Sequence, residues 1–226
     1  MVKMAAESGT TDIVATPHAS RHHSFKPDAV EERAAELAAA VPGIRIYTGC
    51  DFHLSFDNIQ DALRHPRKYT INQKQYLLVE FPDVVTFNTT RQIFEELRGA
   101  GMFPIVTHPE RNTFLQENMA EITKWVADGA YIQITAQSFL GLFGRRARDT
   151  ANDLTKHGLV HFVASDAHDL THRTTSLRES FDYVAAKFGK DLAESLFVAN
   201  PEAVVAGDPL PEPVAPRPKP WFQFWR

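Results

Sequence analysis

The chain has 226 residues, a hydrophobic fraction of 43% and a formal net charge of −4, enough apolar material to bury one large core without a second domain. It contains no run approaching the roughly 18–20 consecutive apolar residues of a membrane helix, its first residues lack the apolar centre of a secretory signal, and its mild acidity argues against a nucleic-acid-binding surface. Cys50 is the only cysteine, which excludes an internal disulfide and a cysteine-based zinc cage; any metal must be held by His, Asp and Glu, and the expected location is the cytoplasm.

In chain order, residues 1–8 read as the last two turns of a helix stopped by Gly9, with no strand before it. Short β-branched and aromatic runs then alternate with segments of helical period. Strands are expected at 12–16, 44–48, 76–79, 104–107, 131–135 and 160–164. Helices are expected at 28–40, 90–100, 119–128, 145–156, 177–188 and 191–198, the first three ending before Gly43, Gly101 and Gly129. This alternation predicts an α/β fold with a parallel sheet, either a barrel of βα units or an open doubly wound sheet. Because such a barrel opens with a strand, the first strand is expected to be absent from this chain. Residues 1–207 form the expected barrel. Residues 208–226 form an extended tail, where six prolines lead to Trp221, Phe222, Phe224 and Trp225.

Nearly every strand delivers a hard-metal ligand at its C-terminal end. They are His18 after the first, Asp51 after the second, Glu80 after the third, His108 after the fourth, and Asp166 with His168 after the sixth. In a parallel barrel these ends share one rim, so ligands distant in sequence converge on one small volume. Each alone is ordinary, since an acid after a strand is often just a helix cap; the joint pattern predicts a metal cluster. Arg111, three residues past His108, and Arg173, shortly after His168, are placed to grip phosphoryl oxygens. Hydrolysis of a phosphate ester is the chemistry this set serves. No Gly-x-Ser-x-Gly elbow, phosphate-cradling glycine loop or Cys-Arg phosphatase loop is present. His22, His23, His53, His65, His157, His161 and His172 are assigned to surface or loop positions, with His22 and His23 nearest the rim.

Six segments, taken in order, resemble the PHP (polymerase and histidinol phosphatase) superfamily. They are Thr16-Pro17-His18, Gly49-Cys50-Asp51, Leu78-Val79-Glu80-Phe81, Thr107-His108-Pro109-Glu110-Arg111, Ala164-Ser165-Asp166-Ala167-His168 and Asn200-Pro201. Within that superfamily they are similar to the manganese-dependent protein tyrosine phosphatases of bacterial capsule and exopolysaccharide operons, the CpsB type. The resemblance implies a distorted (β/α)7-type PHP barrel. It also implies a multinuclear cluster, Mn2+ before Fe or Zn, on His18, Asp51, Glu80, His108, Asp166 and His168, with Arg111 and Arg173 binding phosphate; whether His168 or a metal-bound water assists the leaving group stays open. It implies as substrate a phosphotyrosine protein, namely a bacterial tyrosine autokinase. Two departures stand out: Asp51 replaces the family's usual Glu, and the family's opening His-x-His strand with its following Asp has no counterpart here. The second departure coincides with the absent first strand and implies a damaged cluster. Two alternatives stand beside this reading: a small-molecule phosphomonoesterase resembling histidinol phosphatase, and a non-catalytic scaffold.

Overall fold

The computed structural model describes residues 1–20, 23–82 and 87–217. Each of the six expected strand regions carries a strand. β1 (Asp12–Ala15) and β3 (Arg45–Thr48) form a parallel pair. A six-stranded parallel sheet comprises β2 (His18–Ala19), β4 (Asp51–His53), β5 (Tyr76–Glu80), β6 (Phe103–Thr107), β7 (Tyr131–Thr135) and β8 (Phe162–Ala164), in the order β2-β4-β5-β6-β7-β8. Among the described residues β2 and β8 are the edges of the six-stranded sheet, each pairing on one side only, so that sheet is open.

The short strands β2 and β4 were not expected, and they hold two of the ligand candidates. They prolong β1 and β3 in unchanged register: Ala15 faces Thr48, and beyond the break His18 faces Asp51. Gly49 N–H donates to Ala15 O (3.0 Å) and Asp51 N–H to Pro17 O (3.1 Å), so the ladder runs through the break. Pro17, which has no N–H to give, interrupts the regular pattern there.

Among the described residues eleven α-helices lie before, between and after the strands: α1 (Val2–Glu7), α2 (Pro27–Ala40), α3 (Phe56–Arg64), α4 (Phe87–Gly99), α5 (Thr113–Gln116), α6 (Met119–Ala127), α7 (Ala136–Phe139), α8 (Gly144–Lys156), α9 (Arg178–Phe188), α10 (Lys190–Glu194) and α11 (Asn200–Ala206). The expected helix at 191–198 is instead α10 followed by a π-helical turn over Ser195–Ala199. That turn presents Ser195 to buried Asn200, whose side-chain N–H in turn donates to His161 O (2.8 Å), tying α11 to the entry of β8.

Successive strand residues point to opposite faces, and this places the functional rim. On β5, Leu77 and Val79 enter the large core beneath the helices, together with Val106, Ile132, Ile134 and Val163. Tyr76 and Leu78 point the other way, into a smaller cluster with Ile105, Phe162 and Val204. Glu80 continues the Tyr76-Leu78 stripe and Thr107 continues Phe103-Ile105, so this face is apolar at the strand starts and polar at the strand ends. The apolar end is covered by the stretch after α11. Tyr76 Oη donates to Asp208 O (2.7 Å), Leu210 packs on the small cluster, and Arg217 N–H donates to Phe188 O (2.8 Å). The aromatic tip Trp221, Phe222, Phe224 and Trp225 lies outside the described residues.

Candidate metal centre

At the polar end, adjacent strands bring their side chains to one point. His18 Nδ1 lies 3.4 Å from Asp51 Oδ2 and 3.3 Å from Glu80 Oε2. His108 Nε2 lies 3.6 Å from Glu80 Oε1 and 4.0 Å from Asp51 Oδ2. His53 Nε2 contacts Glu80 Oε2, and the His53 and His18 rings meet edge to face at 5.4 Å. Two groups of three donors result, His18–His53–Glu80 and Asp51–Glu80–His108, each with its ligand atoms within 4.8 Å of one another and both sharing Glu80. Thr107 Oγ1 donates to Val79 O (3.2 Å) and, at 3.4 Å, to Asp51 Oδ1, steering the carboxylate from behind. His108 is held in the left-handed region (φ 36°, ψ 49°), a conformation a non-glycine residue adopts at a cost of about 1–3 kcal/mol.

Burial and like charge give this cluster its electrostatics. Asp51 is pushed up to about 7, first by burial and then by the Glu80 carboxylate beside it. Burial also pushes Glu80 up, but the three histidines around it, His18 foremost, outweigh that and leave it below the usual carboxylate range. His18 is raised, chiefly by Glu80, whereas burial drives His108 down to about 4. Such a cluster accepts a cation with its imidazoles neutral, the form that burial favours for His108 and that Glu80 opposes in His18 until an ion takes the proton's place.

The neighbouring half of the rim is basic. Arg111 ends a 3-10 turn (Pro109–Arg111) directly after β6 and donates through Nη1 to Asp166 Oδ2, with Thr135 Oγ1 3.4 Å from the same atom. Arg173 Nη2 donates to that same Asp166 oxygen. Arg173 is delivered by a turn built on Asp169, whose Oδ1 accepts from the backbone N–H groups of His172 (2.6 Å), Thr171 (2.7 Å) and Arg173 (3.2 Å). Those bonds, His172's first, hold Asp169 down at about 2. His168 N–H then closes onto Arg173 O (2.8 Å). Asp166 also has positive φ (47°). Glu110, fully buried between His108 and Arg111, accepts from Thr135 N–H (3.0 Å) and Ser138 Oγ (2.6 Å) and is pushed up to about 7 by burial.

A family model described as "Capsular polysaccharide synthesis, CpsB/CapC" matches residues 1–206. The chain belongs to the CpsB/CapC family. CapC of Staphylococcus aureus is 32% identical over 230 residues, covering 98% of this chain and 89% of that protein. The tyrosine-protein phosphatase YwqE of Bacillus subtilis is 30% identical, covering 96% and 88%, and the tyrosine-protein phosphatase CpsB of Streptococcus pneumoniae is 27% identical, covering 87% and 85%. A solved structure from the work on YwqE and CpsB, described there as metal-dependent tyrosine phosphatases, superposes with a TM-score of 0.86 at 29% identity. It covers 97% of this chain and 90% of the other.

The donor set of this CpsB/CapC chain fits a metal cluster on its own geometry. His18 Nδ1 and Glu80 Oε2 are shielded from solvent and, among the described residues, meet each other and further candidate ligands, Asp51 and His53, an arrangement natural for ligand atoms. Of the six residues expected to ligate, His18, Asp51, Glu80 and His108 meet within the two donor groups. Asp166 and His168 stand beside them: one Asp166 oxygen is taken by both arginines, and the His168 ring lies 6.2 Å from that of His18, with Nδ1 at 2.9 Å from Asp166 O. His53 departs from the surface or loop position expected of it. It sits two positions beyond Asp51 on β4 and therefore on the same face, and that i, i+2 spacing was the available signal. His22 lies outside the described residues.

Proposed function

We propose that this CpsB/CapC chain is a cytoplasmic, manganese-dependent protein-tyrosine phosphatase acting on a bacterial tyrosine autokinase in capsular or exopolysaccharide synthesis. The observation that carries the reading is the meeting of two three-donor groups, joined through Glu80, with two guanidinium groups converging on Asp166. The relatives YwqE and CpsB are tyrosine-protein phosphatases, and metal-dependent ones, which supports the same chemistry here. No helix among the described residues is long and apolar enough to cross a membrane. We read the open sheet as the arc of a distorted PHP barrel occupying residues 1–207, with 208–226 as an appended tail.

In this reading His18, Asp51, Glu80 and His108, joined by His53, hold the ions, with Asp166 and His168 completing the cluster. The ions supply Lewis acidity and activate water. The protein's own groups do the rest. Arg111 and Arg173 bind two phosphoryl oxygens and neutralise charge as the ester bond breaks, while Asp166 fixes the angle between them. The tyrosinate leaving group has a pKa of roughly 10, so it departs with little help. His168, its Nδ1 donating to the Asp166 carbonyl (2.9 Å), has Nε2 left as its ligand atom for the cluster.

The test is turnover of a phosphotyrosine peptide with added manganese, beside histidinol phosphate and a Glu80→Gln variant. Peptide turnover is expected to exceed ester turnover, and Glu80→Gln should lose bound manganese and at least about 10²-fold in kcat/KM. A wild-type chain that holds manganese but cleaves no phosphotyrosine peptide overturns the assignment.

A further inference from the structure

Against the two arginines lies an aromatic ring that phosphate binding itself does not require. Phe143 is half-buried, with the Arg111 guanidinium carbon 4.3 Å and that of Arg173 5.9 Å from its ring centroid. The loop that carries it is built for that position. Gly141 and Gly144 both take φ of +87°, a conformation that strains other residues, and neither has anything near the place a Cβ would occupy. Backbone bonds from Gly141 N–H to Ser138 O (3.1 Å), Leu142 N–H to Gln137 O (3.1 Å) and Gly144 N–H to Gly141 O (3.0 Å) pin the turn before α8 begins. Thus a tight, glycine-hinged turn holds one ring against both phosphate-binding side chains.

We propose that Phe143 is a specificity-determining residue, its ring bracing Arg111 and Arg173 and receiving the aryl group of the substrate, so that aryl phosphates are bound in preference to alkyl phosphates. The proposal rests on the phosphatase reading and deepens it. A phosphoryl group gripped by both guanidinium groups would lie beside the ring they share, with its ester substituent within reach of that ring. An aryl substituent there gains an edge-to-face or offset ring contact, which a methylene group cannot make. The face left to the ring is apolar on its flank as well, since the same loop exposes Leu140 and Leu142. A histidine or carboxylate in place of the phenyl ring would instead compete for the arginines' charge.

The experiment compares binding of phenylphosphonate and methylphosphonate, which share a head group and differ by the ring, to the manganese-loaded chain by calorimetry. The wild type is expected to favour the phenyl ligand by roughly threefold to tenfold. Phe143→Leu, which keeps bulk and removes the ring, should reduce that ratio to less than about twofold, and Phe143→Tyr should keep it. Manganese content and the unfolding midpoint, unchanged in each variant, show that the site is intact; if Phe143→Leu fails that check, Phe143→Met carries the comparison. A ratio that survives loss of the ring, or that Phe143→Tyr also loses, overturns the proposal. Failure of the underlying reading looks different: the ring preference would persist in a protein that cleaves no phosphotyrosine peptide.

Discussion

The two halves of the rim are built on opposite principles. In the half formed by β2, β4, β5 and the end of β6, ligand-type groups are crowded against one another: Asp51 is raised, and the shielded atoms His18 Nδ1 and Glu80 Oε2 face other candidate ligands. In the half formed by the turn after β6 and the loops after β8, the two guanidinium groups are held by Asp166, Thr135 and Phe143. One half is unfavourable until a cation binds; the other is already arranged for its anion. Preorganisation of the second half matters because groups set before the reaction need no rearrangement at the transition state.

Substitutions in the two halves should therefore separate metal binding from phosphate binding. The largest effect is expected for Arg111→Lys. Lysine is a compact point charge that cannot meet Asp166, approach Thr135 and lie over Phe143 together. A fall of about 10²-fold in kcat/KM on a phosphotyrosine peptide is expected, with manganese content unchanged. Metal analysis of the same samples decides the matter, because loss of manganese from this variant would mean that the halves are one coupled network.

A smaller effect of the opposite kind is expected for Thr107→Val, which keeps shape but removes the hydroxyl bonded to Asp51 and to Val79 O. Groups that orient ligands from behind typically contribute about 10-fold to 100-fold in metal affinity, and a loss near about 10-fold is expected here. Titration with manganese followed by calorimetry measures it. Activity at saturating manganese should stay within about threefold of wild type, since the arginine half is untouched.

Much of this division was legible in the sequence, because a parallel sheet turns the order of strand ends into the layout of a rim. His18, Asp51, Glu80 and His108 each stand at the C-terminal end of an apolar run, where the rim must lie. The features that escaped were local. Strands of two and three residues carry too little pattern to be seen, so β2 and β4 emerged only from the register that β1 and β3 transmit past Pro17. With β4 invisible, the alternation that puts His53 on the face of Asp51 was invisible too. The π-helical turn at Ser195–Ala199 was hidden for another reason: it goes with a tertiary bond between Asn200 and the entry of β8, which no local pattern announces. The geometry that delivers Arg173 depends on the Asp169 turn, which reads in sequence as any polar loop.

Two half-buried histidines at opposite ends of the sheet offer a final contrast, His108 on the rim and His161 beside the entry of β8, both driven down to about 4, chiefly by the loss of solvent around the ring. His108 faces carboxylates that favour its charged form. His161 has no such relief: its Nδ1 accepts the Ile132 N–H (3.1 Å), so protonating that nitrogen would set two donors against each other. Because the folded-state value lies below the ordinary 6.5, the unfolded chain binds more protons between about 4 and 6.5. The stability His161 contributes is therefore complete above about 6.5 and is lost as the pH falls toward 4, by at most about 3 kcal/mol. His161→Asn keeps an acceptor for Ile132 and removes the titrating ring, so its unfolding midpoint should decline less than that of the wild type across this range. Parallel declines in the two proteins would show that His161 is protonated in the folded state without penalty, and would remove burial as the shared cause.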